Sequence, residues 1–127
     1  MKTRYSVGMA LLAGIAIGAV AVEGLRAQAK PPVYFIAEIQ TSNIDAYLKD
    51  YAPLAQKTIK DAGGRIVAGG PPKAVEGDPP KTRVVVQVWD SEEKMLAWRN
   101  SAEYKKAREI GDKLAKFTSF IVPGAPQ

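Results

Sequence analysis

The sequence predicts an α+β domain, a four-stranded antiparallel sheet with two helices on one face, built from elements in the order βαββαβ. Three observations predict it. Four short stretches are rich in β-branched and aromatic residues: 33–40, 65–68, 82–89 and 116–122. Two longer stretches carry apolar residues at helical spacing, one between the first and second strands and one between the third and fourth. Glycine and proline punctuate the joins, as Gly63-Gly64 and Gly77-Asp78-Pro79-Pro80.

The first strand, VYFIAEIQ, alternates between two faces. Val33, Phe35, Ala37 and Ile39 form an apolar face suited to helices, and Tyr34, Ile36, Glu38 and Gln40 a mixed one. Ser42-Asn43-Ile44-Asp45 fits a helix N-cap. Ile44, Tyr47, Leu48, Tyr51, Ala55, Ile59 and Ala62 then follow helical spacing. Pro53 lacks a backbone donor, so a kink or restart is predicted near Tyr51-Ala52. Gly63-Gly64 stops this helix in the left-handed manner. The second strand, Arg65 to Ala68, is expected to bend or bulge at Gly69-Gly70, with pairing resumed over Lys73 to Glu76.

In the third strand, alternation separates Val84, Val86 and Val88 from Arg83, Val85, Gln87 and Trp89. The valine set is predicted to join the apolar face of the first strand beneath the helices, leaving Arg83, Val85, Gln87 and Trp89 on the opposite face. Asp90 is predicted to cap the next helix, which carries Met95, Leu96 and Trp98. Ser101 caps a continuation with the stripe Tyr104, Ala107, Ile110 or Gly111, and Leu114. This order of elements is that of the ferredoxin-like fold, with the first and third strands as the central antiparallel pair. The face away from the helices, with Tyr34, Ile36, Val85 and Trp89, is too apolar to stand in water as one patch. A second copy of the sheet is its simplest cover, which predicts a homodimer forming an α+β barrel.

The domain begins after a leader. Lys2 and Arg4 precede an uncharged apolar run over residues 7–22, and Ala27-Gln28-Ala29 supplies a small-residue cleavage pattern. Together these read as a secretory signal peptide over residues 1–29, cleaved after Ala29, with residues 30–127 as a single exported domain, periplasmic or secreted. The apolar run is shorter than the about 20 residues a membrane span needs. Membrane association is therefore expected only through an uncleaved leader.

Composition closes several chemistries. The chain has no histidine and no cysteine. A Cys/His zinc site, a histidine-based nucleophile system and the common haem ligands are all excluded. Carboxylate-only metal binding has weak signals alone, in Glu92-Glu93 and Glu76-Gly77-Asp78, and no cofactor is expected. The net charge of +5 is spread among alternating signs, so no nucleic-acid footprint is predicted. Gly69-Gly70 has neither the phosphate-loop spacing nor the dinucleotide fingerprint.

Two candidate groups remain. With Glu38 and Arg83 on neighbouring central strands and assigned to the same face, they are predicted to meet between the two sheets of the barrel. Gln87 lies nearby, with Tyr34 and Trp89 towards the other end. Such a pair reads either as a site, Glu38 a base and Arg83 the holder of an anionic ligand, or as a structural ion pair. Trp98, Tyr104 and Arg108 form the second group, a pocket wall with a cationic end or simply core. Tyr47 and Tyr51 carry the same two readings.

The run RVVVQVWDSEEKMLAWRNSAEYKKAR holds a strand ending in an aromatic (Val84 to Trp89), a Ser/Glu helix start (Ser91 to Glu93), Ala97-Trp98, and Ser101, Glu103 and Tyr104 followed by Arg108. This combination resembles the signature of the domain of unknown function 1330 family, and the resemblance extends over most of Val33 to Gly124. It implies a dimeric α+β barrel similar in fold to small monooxygenases, muconolactone-type isomerases and haem-using relatives. The absence of histidine speaks against the haem branch. The family has no agreed activity. Three readings stay open: an exported dimer that binds a small anionic or aromatic ligand or is otherwise non-catalytic; a cofactor-independent monooxygenase- or isomerase-like enzyme using Glu38, Arg83 and Trp89; and a structural or interaction protein whose barrel is solidly packed.

Overall fold

A computed structural model describes residues 31–80 and 82–126; the predicted leader lies outside them. The folded unit spans Pro32–Ala125. Strand β1 (Val33–Thr41) leads into a short helix α1 (Ile44–Ala46), a π-helical turn (Tyr47–Tyr51) and helix α2 (Ala52–Asp61). Strands β2 (Arg65–Gly70) and β3 (Arg83–Trp89) follow, then helices α3 (Glu92–Arg99) and α4 (Ala102–Leu114), and strand β4 (Ala115–Pro123). The sheet order is β2-β3-β1-β4, and every neighbouring pair is antiparallel. This is the predicted ferredoxin-like arrangement.

Local chemistry accounts for the helix boundaries. The Asn43 side chain accepts from the Ala46 amide and starts α1. The predicted break at Pro53 is a wide turn in which the Ala52 amide reaches back five residues to the Tyr47 carbonyl. Proline then sits in the first turn of α2, where its missing donor leaves nothing unpaired. The turn also sets the buried face. Tyr47, Tyr51, Ala55 and Ile59 are buried at steps of four, and an uninterrupted α-helix would rotate such a stripe by about 40° per step. The wider turn offsets part of that drift, while Ile44 and Leu48 stay largely outside.

At the end of α2, Gly63 takes positive φ and the Gly64 amide bonds the Ile59 carbonyl at 2.9 Å. Ser91, not Asp90, caps α3 by accepting from the Lys94 amide; Asp90 instead faces Lys94 Nζ at 3.4 Å across the exposed helix start. Ser101 caps α4 as predicted, accepting from the Tyr104 amide. The irregularity in β2 lies between Ile66 and Ala68 rather than at the glycines, which remain paired with Val85 and Val84. Residues 71–80 form no strand, so pairing does not resume over Lys73 to Glu76.

The largest departure from expectation is the facing of β3. Ile39 pairs with Arg83, Ala37 with Val85, Phe35 with Gln87 and Val33 with Trp89. Directly opposed residues in an antiparallel pair share a face. Arg83, Val85, Gln87 and Trp89 therefore lie under the helices, and Val84, Val86 and Val88 lie on the other side with Tyr34, Ile36 and Glu38. The physical reason is bulk. Trp89 is the largest side chain of the strand and is 1% exposed within the aromatic core. Three valines form a smoother and thinner surface. A shift by one residue exchanges the whole set of side chains between faces.

The core thus lies between the sheet and the helices; Phe35, Trp89 and Tyr104 stack around Trp98, and the Tyr47–Tyr51 ring pair joins them through the Tyr51–Tyr104 hydroxyl bond. On the far face Tyr34 stands opposite Val122 and Ile36 opposite Phe120. Phe120 and Val122 remain 43% and 40% exposed.

Gly111 explains how α4 approaches α2 and the wide turn. A Cβ there would lie 2.6 Å from Cε1 of Tyr51. In an open helix, Gly→Ala would stabilise by about 0.5–1 kcal/mol. Here overpacking opposes that gain and prevails, so Gly111→Ala is expected to destabilise by about 1–2 kcal/mol. In a Tyr51→Leu background the same change should be neutral or stabilising. Urea denaturation of the four proteins of this cycle tests the contact, and equal effects of Gly111→Ala in both backgrounds would refute it.

Candidate functional site

The facing of β3 places the candidate site inside the protomer. Arg83 and Gln87 emerge from the sheet beneath the helices, and Tyr47 and Tyr51 descend on them from the wide turn. Tyr104 of α4 and Trp98 of α3 complete the walls of a cleft of about 50 Å³. Four sequence-predicted residues, Arg83, Gln87, Trp98 and Tyr104, are brought together here. Trp89 lies against them, its Nε1 donating to Gln87 Oε1 at 2.9 Å. Arg108 backs Tyr104 from the solvent side.

Glu38 is not part of this group. It pairs with Val84 and Thr118 on the opposite face, so Glu38 and Arg83 do not meet within the protomer. Tyr34 is on that face too. Tyr47 and Tyr51, for which the sequence leaves a pocket floor and plain packing both open, line the cleft. Their spacing of four residues just ahead of Pro53 is the one sequence signal that marks them.

Polar groups of the cleft fall into two classes. The first is closed upon itself. The hydroxyls of Tyr51 and Tyr104 share a hydrogen bond of 2.9 Å, and Arg108 Nη1 donates to the Tyr104 hydroxyl at 3.4 Å. Arg108 Nε in turn donates to Asp112 Oδ1 at 2.6 Å, and the guanidinium lies 4.0 Å over the Phe117 ring. Burial works against the Arg108 charge, but bonds to Asp112 and Tyr104 outweigh it and hold the guanidinium protonated. Burial, reinforced by the Tyr104 hydroxyl, raises the Tyr51 pKa well above the ordinary tyrosine range.

The second class is open. Arg83 Nε is buried and has no hydrogen-bond partner. Tyr47 is 3% exposed, and its pKa is pushed up to about 12, mainly by burial; the nearby Arg83 guanidinium pulls it back and Tyr104 adds to the rise. No carboxylate lines the cleft, and among the described residues no group of three or more Asp or Glu is placed to hold a metal ion.

A larger depression of about 760 Å³ runs along the outer side of the helices, over Leu54, Ala97 and Ile110. Its lysines at 57 and 94 are exposed and already face Asp61 and Asp90. Trp98 separates it from the inner cleft, with Nε1 bonded to Thr58 Oγ1 at 3.0 Å. The outer depression is broad but chemically undirected, whereas the inner cleft is small and furnished with unpartnered donors.

Known structures share this architecture. The chain superposes on a protein of unknown function from Rhodopseudomonas palustris, RPA0582, with a TM-score of 0.59 at 15% identity, covering 77% of this chain and 84% of that one. SnoaB, a cofactor-independent oxygenase from Streptomyces nogalater, gives 0.59 at 12% identity, covering 76% and 95%. A conserved protein from Methanosarcina mazei Go1 gives 0.53 at 13%, covering 77% and 97%. At these identities the likeness is one of fold. No curated protein matches the sequence. Residues 32–125 match the family model described as domain of unknown function (DUF1330), and the chain therefore belongs to the domain of unknown function 1330 family.

Proposed function

We propose that this protein binds a small molecule in the cleft between sheet and helices of each protomer, and that it works as an exported homodimer. The observation that carries the ligand reading is Arg83 Nε, a buried donor without an acceptor at the wall of an internal cleft. Leaving such a group unmet costs about 1–3 kcal/mol, and more for a charged one. A ligand that supplies the acceptor gives the residue a purpose that packing does not. The homodimer rests on the far sheet face, where Tyr34, Ile36, Val84, Val86, Phe120 and Val122 form one apolar surface. Export rests on the leader pattern of residues 1–29.

Native mass spectrometry of the protein purified from its own host reads all three claims. The expected species is two chains, each beginning at Lys30, with a small molecule released on denaturation. A bare single chain would remove the basis of both the ligand and the dimer readings, and a chain beginning at Met1 would refute cleavage after Ala29.

A second reading is a cofactor-independent enzyme of the oxygenase or isomerase type. The Tyr51–Tyr104 hydroxyl pair, backed by Arg108, favours it by placing exchangeable protons at the cleft wall. Tyr104, rather than Glu38, would then move the proton. Tyr104→Phe with ligand binding kept but turnover lost is the result that would select this reading over simple binding.

A further inference from the structure

The inner cleft holds no carboxylate; its polar lining is Arg83, Gln87, Gln56 and the hydroxyls of Tyr47, Tyr51 and Tyr104. Arg83 Nε is the buried side-chain atom without a partner among the described residues; two other donors of the lining bond no described residue but still reach solvent. The Gln87 side chain is 4% exposed, and its Oε1 is fixed by the Trp89 indole, which leaves the amide Nε2 as its free end. The Tyr47 hydroxyl, on a residue 3% exposed, bonds no described residue, though unlike Arg83 Nε it is not a fully buried atom. An arginine offers donors alone, a glutamine amide nitrogen two more, and a neutral tyrosine hydroxyl one. Burial, which lifts Tyr47 to about 12, keeps that hydroxyl protonated through the physiological range.

Nothing in the lining balances these groups. The cleft holds no aspartate or glutamate, and the Arg83 guanidinium forms no ion pair among the described residues. Asp112 and the Tyr104 hydroxyl are already engaged by Arg108, so they are not its counter-charge. Size narrows the guest further. About 50 Å³ is far below the roughly 300–1,000 Å³ of ordinary ligand pockets. It takes a group of a few atoms, and a ring has to remain outside.

We propose that the cleft receives the carboxylate head, or a chemically equivalent small oxyanion, of an organic acid, with Arg83, Gln87 and Tyr47 as its three hydrogen-bond donors. Arginine is suited to this by its forked geometry. Gln87 contributes through its amide while Trp89 holds the side chain in place, which makes Trp89 a positioning residue. This inference rests on the small-molecule reading above and adds its chemical class.

The test uses the full-length protein and two matched probes, acetate and acetamide, at constant ionic strength, with tryptophan fluorescence and calorimetry as readouts. Acetate is expected to bind saturably, and acetamide at least tenfold more weakly. Arg83→Met should weaken acetate at least tenfold, and Tyr47→Phe several-fold. Arg83→Met should also raise the melting temperature, because it removes a buried unpaired donor and keeps most of the volume. That second measurement separates lost recognition from lost folding. Equal affinity for acetate and acetamide, or unchanged acetate binding by Arg83→Met, would overturn the anion assignment and leave the ligand cleft standing. Binding of neither probe, together with a ligand-free protein from the native host, would overturn the cleft itself.

Discussion

Replacement of Trp98 by alanine is expected to remove about 3–5 kcal/mol of stability. The indole is 2% exposed. It meets Phe35 edge-on at 5.6 Å, Trp89 at 5.3 Å and Tyr104 at 4.2 Å between ring centroids. Its Nε1 ties α3 to α2 through Thr58. Truncation would open a void among rings that belong to the sheet and to α4, and such rings cannot collapse together without moving an element. For a domain whose whole stability is about 5–15 kcal/mol, this is a large share. The urea midpoint should fall steeply while the slope of the transition stays constant. Trp98→Phe separates packing from the hydrogen bond. It should lose about 1–2 kcal/mol, since Thr58 Oγ1 still donates to the Ala55 carbonyl and is not stranded. Leu96, on the same helix and 42% exposed, serves as control, and its alanine variant should stay within about 1 kcal/mol of the parent. A Trp98→Ala protein as stable as that control would mean the aromatic cluster is not what holds the helices to the sheet.

Element identity is written plainly in the chain, and facing is not. Alternation in β1, the serine cap at 101, the break before Pro53 and the double glycine after α2 each have a local cause, so residue order alone reveals them. The facing of β3 has no local cause. Its seven residues offer two alternating sets, Val84-Val86-Val88 and Arg83-Val85-Gln87-Trp89, and either can be drawn beneath the helices on paper. Counting apolar residues favours the valines. Burying area favours the other set, because one indole outweighs the difference and Gln87 can satisfy the indole nitrogen from the same face. That exchange decides the candidate site. Arg83 and Gln87 keep their place in it, but they lie inside the protomer with Tyr47 and Tyr51, and Glu38 is left on the opposite surface. The tyrosines stand out little in the sequence for a related reason. A π-helical turn is the device that keeps both aimed at the sheet, and its hydrogen bonds have no sequence code beyond the nearby proline.

The same exchange strengthens the case for a covered sheet. With the valines outward, the far face carries Val84, Val86 and Val88 beside Tyr34, Ile36, Phe120 and Val122, a more apolar surface than the predicted set would have made. Glu38 sits among them, between Val84 and Thr118. A carboxylate there is tolerable in water and demands a partner when covered. In the proposed homodimer it falls at the interface between copies rather than in the cleft.

At high pH the protein is expected to unfold in a transition driven by its buried tyrosines. Tyr47 and Tyr51 both have pKa values raised in the folded state, Tyr47 to about 12 and Tyr51 further in the same direction. An unfolded tyrosine ionises near 10. Because the folded chain holds these protons more tightly, their contribution to stability is fully present below about pH 10. It is lost as pH rises from there through about 12 for Tyr47 and beyond for Tyr51. Tyr47 alone accounts for on the order of 3 kcal/mol over that window, and Tyr51 adds to it. Against a whole-domain stability of about 5–15 kcal/mol this is a substantial share, and the expected end point is unfolding. Tyrosinate absorbance and far-ultraviolet circular dichroism, followed together, should therefore show a late tyrosinate phase that coincides with loss of secondary structure. Tyr47→Phe should move that coincident transition to higher pH and reduce the late absorbance. Full tyrosinate absorbance near pH 10 with the secondary structure intact would show that the hydroxyls reach solvent freely and would remove the burial argument for both tyrosines.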